Sequence, residues 1–334
     1  MANDNTVQCL RDGDIEEPLL DVHVEVSEDE PSNFWPCTFN LTKVILGAGI
    51  MVIPHAISLV GSIWGLVMLL AVGGLTWFTV YALIVGSDVV GASTYASLVR
   101  RTCGIFAEKT LLIILILGCF GFEVVYLDII SDVLIGEAPS FSGGILLQFI
   151  NWLVPPATGV PGARWWFEGR SQLLGFLVLF ILVPLCLQRD MTRLDALNKV
   201  GLVSLVLFAV STIWLAVAAA MAGHAYVPPL LPDWPRLGPT LSVQISTLVS
   251  VIPVILTAMT CHQSVHPLRQ MLKPYSGSRF NMVTFCSLAM VTVLFIVVSG
   301  AAYVAFGPLI KNDFLANLDP DLMTPIIGAV CKCG

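Results

Sequence analysis

Residues 37–60 read CTFNLTKVILGAGIMVIPHAISLV, an apolar stretch long enough to cross a bilayer, with Gly47-Ala48-Gly49 near its middle and Pro54 just beyond. The glycines permit a break in the helix, and a break in lipid leaves amides and carbonyls that protein, water or a ligand must satisfy. The bland alternative is that the glycines only let a neighbouring helix approach closely. A second apolar segment, Leu241 to Cys261, is interrupted at Pro253 and tips the balance toward unwinding. Paired interrupted spans in corresponding positions of two halves are the sequence mark of a carrier's binding site.

Seven segments of the chain reach the roughly 20 apolar residues that a spanning helix needs: TM1 37–60, TM2 64–85, TM3 111–135, TM4 169–187, TM5 197–222, TM6 241–261 and TM7 282–306. An eighth begins near Met323 and runs to Gly334. The 334 residues are 56% hydrophobic and only 12% charged, with a mean hydropathy of +0.86, which places the chain far from soluble composition. The expected fold class is an all-α integral membrane protein, with the lipid bilayer as its main solvent. No nucleophile with an adjacent base and no phosphate-binding loop is visible, so an enzyme is not expected, nor is a nucleic-acid partner.

Loop charge sets the expected orientation, because cytosolic loops retain Lys and Arg. With the N-terminus cytosolic, the cytosolic loops hold Arg100, Arg101, Lys109, Arg189, Arg193, Lys199, Arg269, Lys273 and Arg279. The opposite loops hold Arg164, Arg170, Arg236 and Lys311. Residues 1–35 carry ten acidic residues against the single basic Arg11 and account for most of the net charge of -7. Such a segment buries too little apolar surface to order itself and is expected to be a disordered acidic cytosolic tail, with the transmembrane domain over 36–334. Within the tail, Glu16-Glu17-Pro18-Leu19-Leu20 resembles an acidic dileucine sorting signal and slightly favours a vacuolar or lysosomal membrane over the plasma membrane.

Ionisable groups inside spans cost about 2.5–3.5 kcal/mol each on insertion scales, so each is a default functional candidate. Lys43 lies in the first half of TM1, where it either serves the site or snorkels to the interface. Glu123 sits near the middle of TM3 and is either a proton-coupling group or a satisfied interior side chain. Asp128 and Asp132 share one face of the same helix, toward a water-filled vestibule or the helix end. Cys261, His262 and His266 cluster at the cytosolic end of TM6. The i, i+4 histidine spacing suits a metal, but no further ligand accompanies it and Pro267 points to helix termination at the interface, so no metal is expected.

Phe39-Asn40-Leu41-Thr42-Lys43, Leu46-Gly47-Ala48-Gly49-Ile50-Met51 and Pro54 resemble the first helix of the amino acid/auxin permease superfamily, in the branch of sodium-coupled neutral amino acid and vacuolar amino acid transporters. Pro253, Thr257-Ala258, Cys261-His262 and Val265-His266-Pro267 resemble its sixth helix, Tyr303, Phe306-Gly307 and Asn317-Leu318 the end of its seventh, and Val125-Tyr126-Leu127 with Asp132-Val133-Leu134 its third. The resemblance covers about residues 33 to 322. It implies a LeuT-like inverted-repeat fold with broken TM1 and TM6, and a secondary carrier of small neutral amino acids, without a cofactor, coupled to H+ or Na+.

By that resemblance, Gly47, Ala48, Gly49 and Ile50 meet the substrate carboxylate, and Thr257 and Ala258 meet the amino group. Asn40 matches a cation-binding asparagine, while Lys43 and Glu123 add charges that make proton coupling more attractive than sodium. Family members carry about eleven helices, so the chain is expected to be C-terminally truncated after about seven, within the start of TM8. The alternative function is a non-transporting membrane protein that senses amino acids or pairs with a full-length carrier.

Overall fold

The computed structural model describes residues 33–47, 49–137, 142–143, 170–187 and 191–318. Ala48, the acidic tail to residue 32 with its dileucine-like run, and the eighth apolar segment lie outside the described residues. The first apolar stretch forms two helices, α1 (Phe34–Leu46) and α2 (Gly49–Val60), bent by 57° across the glycine motif. Pro54 sits inside α2. After the tight turn at Gly61, α3 (Ser62–Val90) returns across the bundle.

The short helix α4 (Tyr95–Cys103) joins α3 to α5 (Ile105–Ile135). Thr94 and Ser97 cap its start reciprocally: the Thr94 hydroxyl accepts from Ser97 N and the Ser97 hydroxyl from Thr94 N, each at 3.1 Å. This satisfies two of the amides that a helix start leaves unpaired. A two-residue antiparallel ladder pairs β1 (Gly136–Glu137) with β2 (Ser142–Gly143) beyond α5.

The described part of the fourth apolar segment is one continuous helical run, made of α6 (Arg170–Leu177), a π-helical turn (Val178–Leu182) and α7 (Val183–Cys186). Pro184 has no N–H to continue the ladder, and the widened turn lies just before it.

Helix α8 (Met191–Met221) follows, then the short α9 (Trp234–Leu237). The sixth segment is again two helices, α10 (Leu241–Ala258) and α11 (His262–Met271). Here the expected boundary is corrected: α10 runs through Pro253 and stops five residues later. Met259 N and Thr260 N close the last turn onto the Ile255 and Thr257 carbonyls, each at 3.2 Å. Proline forfeits one backbone bond, which a packed membrane helix tolerates, whereas the tightened turn at 257–260 ends the ladder. The last long helix is α12 (Gly277–Phe306), with the Ser276 hydroxyl accepting from Arg279 N at 3.2 Å.

Among the described residues, five helices are long and apolar enough to cross a membrane, and α1 with α2 makes a sixth if the bent pair is one span. The core lies where α1, α2, α3, α10, α11 and α12 converge, with Leu41, Leu46, Ile50, Ile53, Ile255, Met259, Phe280 and Phe295 buried. In lipid, apolar burial does not drive helices together, so close packing and small residues do. The far end of α12 shows this: Ala302 and Ala305 pack on Ala218 and Ala219 of α8, and Phe314 closes the cluster edge-on to Phe306 and Phe208.

Polar ties hold both ends of the bundle. At the N-terminal face, the Asn33 side chain donates to the Met271 carbonyl and accepts from Lys273 N at 2.8 Å, which fastens the start of α1 to the end of α11. Beside it, Asp88 of α3 pairs with Arg269 and accepts from the Tyr275 hydroxyl at 3.0 Å, while the Arg269 guanidinium lies 4.7 Å from the Tyr275 ring centre. At the opposite face, three successive carbonyls each take a different partner. Pro308 accepts from Arg236 at 2.6 Å, Leu309 from Asn317 at 2.8 Å and Ile310 from His55 Nδ1 at 2.9 Å.

Burial first, and then its bond to Asp88, push the Tyr275 hydroxyl up to about 12 from 10.0. A raised phenol contributes stability that is complete below pH 10.0, its ordinary value, and is lost as pH climbs through about 12. Thermal unfolding in detergent should therefore fall across that window, and Tyr275→Phe should lessen the fall.

Candidate functional site

Gly47 ends α1 with φ 30° and ψ -134°, its N–H still bonded to the Lys43 carbonyl at 3.2 Å. That φ lies in a region that side chains disfavour. Space is short as well: a Cβ placed on Gly47 would stand 2.7 Å from the hydroxyl of Tyr126 on α5. The phenol of α5 therefore reaches directly over the unwound backbone.

Two residues on, Gly49 opens α2, and a Cβ there would stand 2.8 Å from Ala258 Cβ, 3.3 Å from Ala258 Cα and 3.1 Å from Phe295 Cζ of α12. Ala258 is the last residue of α10. The two helix breaks thus meet backbone to backbone. This contact sets the N-terminus of α2, with its unpaired amides and partial positive charge, beside the C-terminus of α10, with its unpaired carbonyls and partial negative charge. Such a pair of ends offers amides to a carboxylate and carbonyls to an ammonium group.

Of the residues singled out in the sequence, Gly47, Gly49 and Ala258 come together here. Ile50 is buried in the core at 1% exposure. Thr257 is adjacent in sequence, but its side chain is exposed. Asn40 is half-buried on α1. Lys43, one turn before the break, carries its amine toward α8, with Nζ 3.9 Å from the place a Cβ on Gly201 would take. Glu123 is exposed on α5, three residues from Tyr126.

Tyr126 and Phe295 are the additions that geometry makes to the site. Tyr126 is a polar-tipped ring within an apolar stretch of α5, between Glu123 and Asp128, a signal present in the sequence; Phe295 is one apolar residue among many and carries none.

His262 and His266 also differ from expectation. They do not end TM6 at an interface but begin and centre α11, which continues through Pro267 to Met271. Proline in the first turns of a helix displaces few bonds. Their ring nitrogens meet hydroxyls of α3, His262 Nε2 with Thr79 at 2.9 Å and His266 Nε2 with Ser87 at 2.9 Å. Among the described residues no group of three His, Cys, Asp or Glu could share a metal ion.

The model of the family described as transmembrane amino acid transporter protein matches residues 30–333. The chain is 28% identical to amino acid transporter AVT6A of Arabidopsis thaliana, over 96% of this chain and 66% of that protein. It is 24% identical to vacuolar amino acid transporter 5 of Schizosaccharomyces pombe, over 90% of this chain and 63% of that protein. It is 25% identical to the putative sodium-coupled neutral amino acid transporter 11 of Danio rerio, over 90% and 60% respectively. The chain thus spans less than two thirds of the length of these relatives, and no solved structure matches it. With nearly the whole chain inside one family model, this protein belongs to the transmembrane amino acid transporter family.

Proposed function

We propose that this chain forms the binding half of a secondary active carrier for small neutral amino acids, with the substrate held between the TM1 and TM6 breaks. The observation that carries this reading is the contact of Gly49 with Ala258, which sets opposite helix ends side by side. A free amino acid is a zwitterion whose two charges match those ends: the carboxylate takes the amides of Ala48, Gly49 and Ile50 beside Gly47, whose own N–H stays on the Lys43 carbonyl, and the ammonium takes the carbonyls at Thr257 and Ala258. The hydroxyl of Tyr126 sits where it can donate to the carboxylate.

In this reading the architecture is a LeuT-like inverted repeat with alternating access, in which the chain supplies one five-helix repeat and the first two spans of the second. The domain runs over 36–334, behind an acidic tail at 1–35. The N-terminal face is cytosolic, in accord with loop charge, and the membrane is vacuolar or lysosomal, a reading supported by the name of the Schizosaccharomyces pombe relative, a vacuolar amino acid transporter. The coupling ion is H+ or Na+, served by Asn40, Lys43 and Glu123. Lys43 carries its amine between α1 and α8, where a positive charge disfavours a sodium ion close by, whereas a proton taken by the Glu123 carboxylate adds no net cation to that group. Replacement of Glu123 by Gln is expected to flatten the pH dependence of flux; unchanged dependence would remove Glu123 from that role.

One observation favours a second reading, a membrane protein that binds amino acids and pairs with another carrier. The most apolar stretch of α5, with mean hydropathy 2.4, buries none of its residues among those described, while Glu123 and Asp128 stand exposed on it. Carboxylates on a lipid-facing flank are costly, so that flank suits a protein neighbour. Uptake of labelled alanine by proteoliposomes holding only this 334-residue chain separates the two: saturable uptake supports the carrier, and saturable binding without uptake supports the partner.

A further inference from the structure

Hydroxyls of α3 meet both α11 histidines. The Ser87 hydroxyl has the Leu83 carbonyl as an acceptor at 2.7 Å; with its one hydrogen there it accepts from His266, and His266 Nε2 is the N–H donor in the 2.9 Å bond. Thr79 repeats the arrangement: its one hydrogen goes to the Leu75 or the Thr76 carbonyl, each at 3.0 Å, and His262 Nε2 donates to the hydroxyl. In this arrangement both neutral rings carry their lone pair on Nδ1.

At His266 that lone pair is in an unusual place. The residue is 3% exposed, and Nδ1 is buried with no hydrogen-bond partner among the described residues, although buried polar atoms are nearly always paired. The ring of Tyr95 from α4 stacks on the imidazole, centroids 6.0 Å apart and 12° from parallel, and such an aromatic face favours a cation over it. From α11 itself, Arg269 lies one turn away and His262 one turn nearer the helix break. From α3, Asp88 follows Ser87 and is taken by Arg269 and the Tyr275 hydroxyl. From the end of α4, Arg101 is turned to the Val90 and Gly91 carbonyls. The ionisable side chains of α1, which packs on α11, are Cys37 and Lys43, the latter with its amine beside Gly201. No carboxylate in this set is left to His266.

We propose that His266 Nδ1 is a proton-binding site of the carrier, with His262 as the second station between it and the TM6 break. This rests on the carrier reading above and specifies its coupling ion. The step is a proton addition alone: the Nδ1 lone pair takes a proton from the aqueous side, the Nε2–H stays on Ser87, and the ring becomes a cation. In the conformation described here the new Nδ1–H has no acceptor, so protonation favours another placement of α11 in which it finds one. A ligand with unequal affinity for two conformations shifts their populations, and α11 begins four residues beyond Ala258. Proton binding is thereby linked to the substrate break.

The test uses the 334-residue chain in lipid nanodiscs and proteoliposomes, as wild type, His266→Gln and Ser87→Ala. Nitrogen-15 NMR of labelled histidine should show His266 as the Nε2–H tautomer, taking a proton at Nδ1 as pH is lowered. Ser87→Ala should move that titration, and it keeps the test available if His266→Gln does not fold. In proteoliposomes, His266→Gln should lower the stimulation of alanine uptake by a proton gradient at least tenfold while sparing alanine exchange without a gradient. An Nδ1–H tautomer, a ring that takes no proton at any pH at which the fold persists, or full gradient stimulation in His266→Gln overturns the proposal. If the wild type moves no alanine, the carrier reading fails, and the tautomer and titration still decide whether His266 binds a proton.

Discussion

Gly49→Ala is expected to weaken amino acid binding by tenfold or more, and Ala258→Gly in the same chain to return most of it. The added methyl would lie 2.8 Å from Ala258 Cβ and 3.1 Å from Phe295 Cζ, inside normal contact. Overpacking of this kind costs about 1–3 kcal/mol, which the helices meet by moving α2 away from α10. Ala258→Gly removes the nearest atom and leaves Ala258 Cα at 3.3 Å, a tight but tolerable neighbour. Residues in direct contact show coupling of about 0.5–3 kcal/mol in double-mutant cycles. Binding of labelled alanine to the four purified proteins measures it. Additive losses would mean that the breaks do not meet.

Gly47→Ala should be damaging for two separable reasons. One is the backbone: φ 30° places a side chain where left-handed conformations cost roughly 1–2 kcal/mol. The other is the Tyr126 hydroxyl at 2.7 Å. Tyr126→Phe takes away that oxygen, and the next atom of the ring, Cζ, is 3.9 Å off, so the double variant should recover the steric part and keep the backbone part. Tyr126→Phe alone should leave thermal stability near that of the parent while lowering affinity for the carboxylate. An affinity unchanged in Tyr126→Phe would take the hydroxyl out of the site.

The break in TM1 is legible in the sequence because glycine advertises it: few residues other than Gly47 accept its backbone angles, and little else fits at Gly49. The break in TM6 is only half legible. Pro253 draws attention to the correct helix, yet the ladder ends at Met259 and Thr260, where the chain packs against α2 and α3. Tyr126 and Phe295 belong to the site through tertiary contact, which linear pattern does not encode. Hydropathy does not register the π turn ahead of Pro184 in the fourth segment. The histidines of α11 were misread as a helix end for a related reason. Their polarity looks interfacial in one dimension, whereas in three they are accommodated by Thr79 and Ser87 of α3.

Lys43 shows how the same residue changes meaning between the two descriptions. In sequence its charge is equally well explained by snorkelling, but the amine lies against Gly201 of α8, between helices.

The central claim is that the two breaks together bind an amino acid, and equilibrium binding of labelled alanine to the purified chain in nanodiscs tests it most directly, beside Gly49→Val. The account predicts saturable binding to the parent chain, competed by other small neutral amino acids, and its loss in a Gly49→Val protein that remains folded. Binding that survives Gly49→Val undiminished would contradict it.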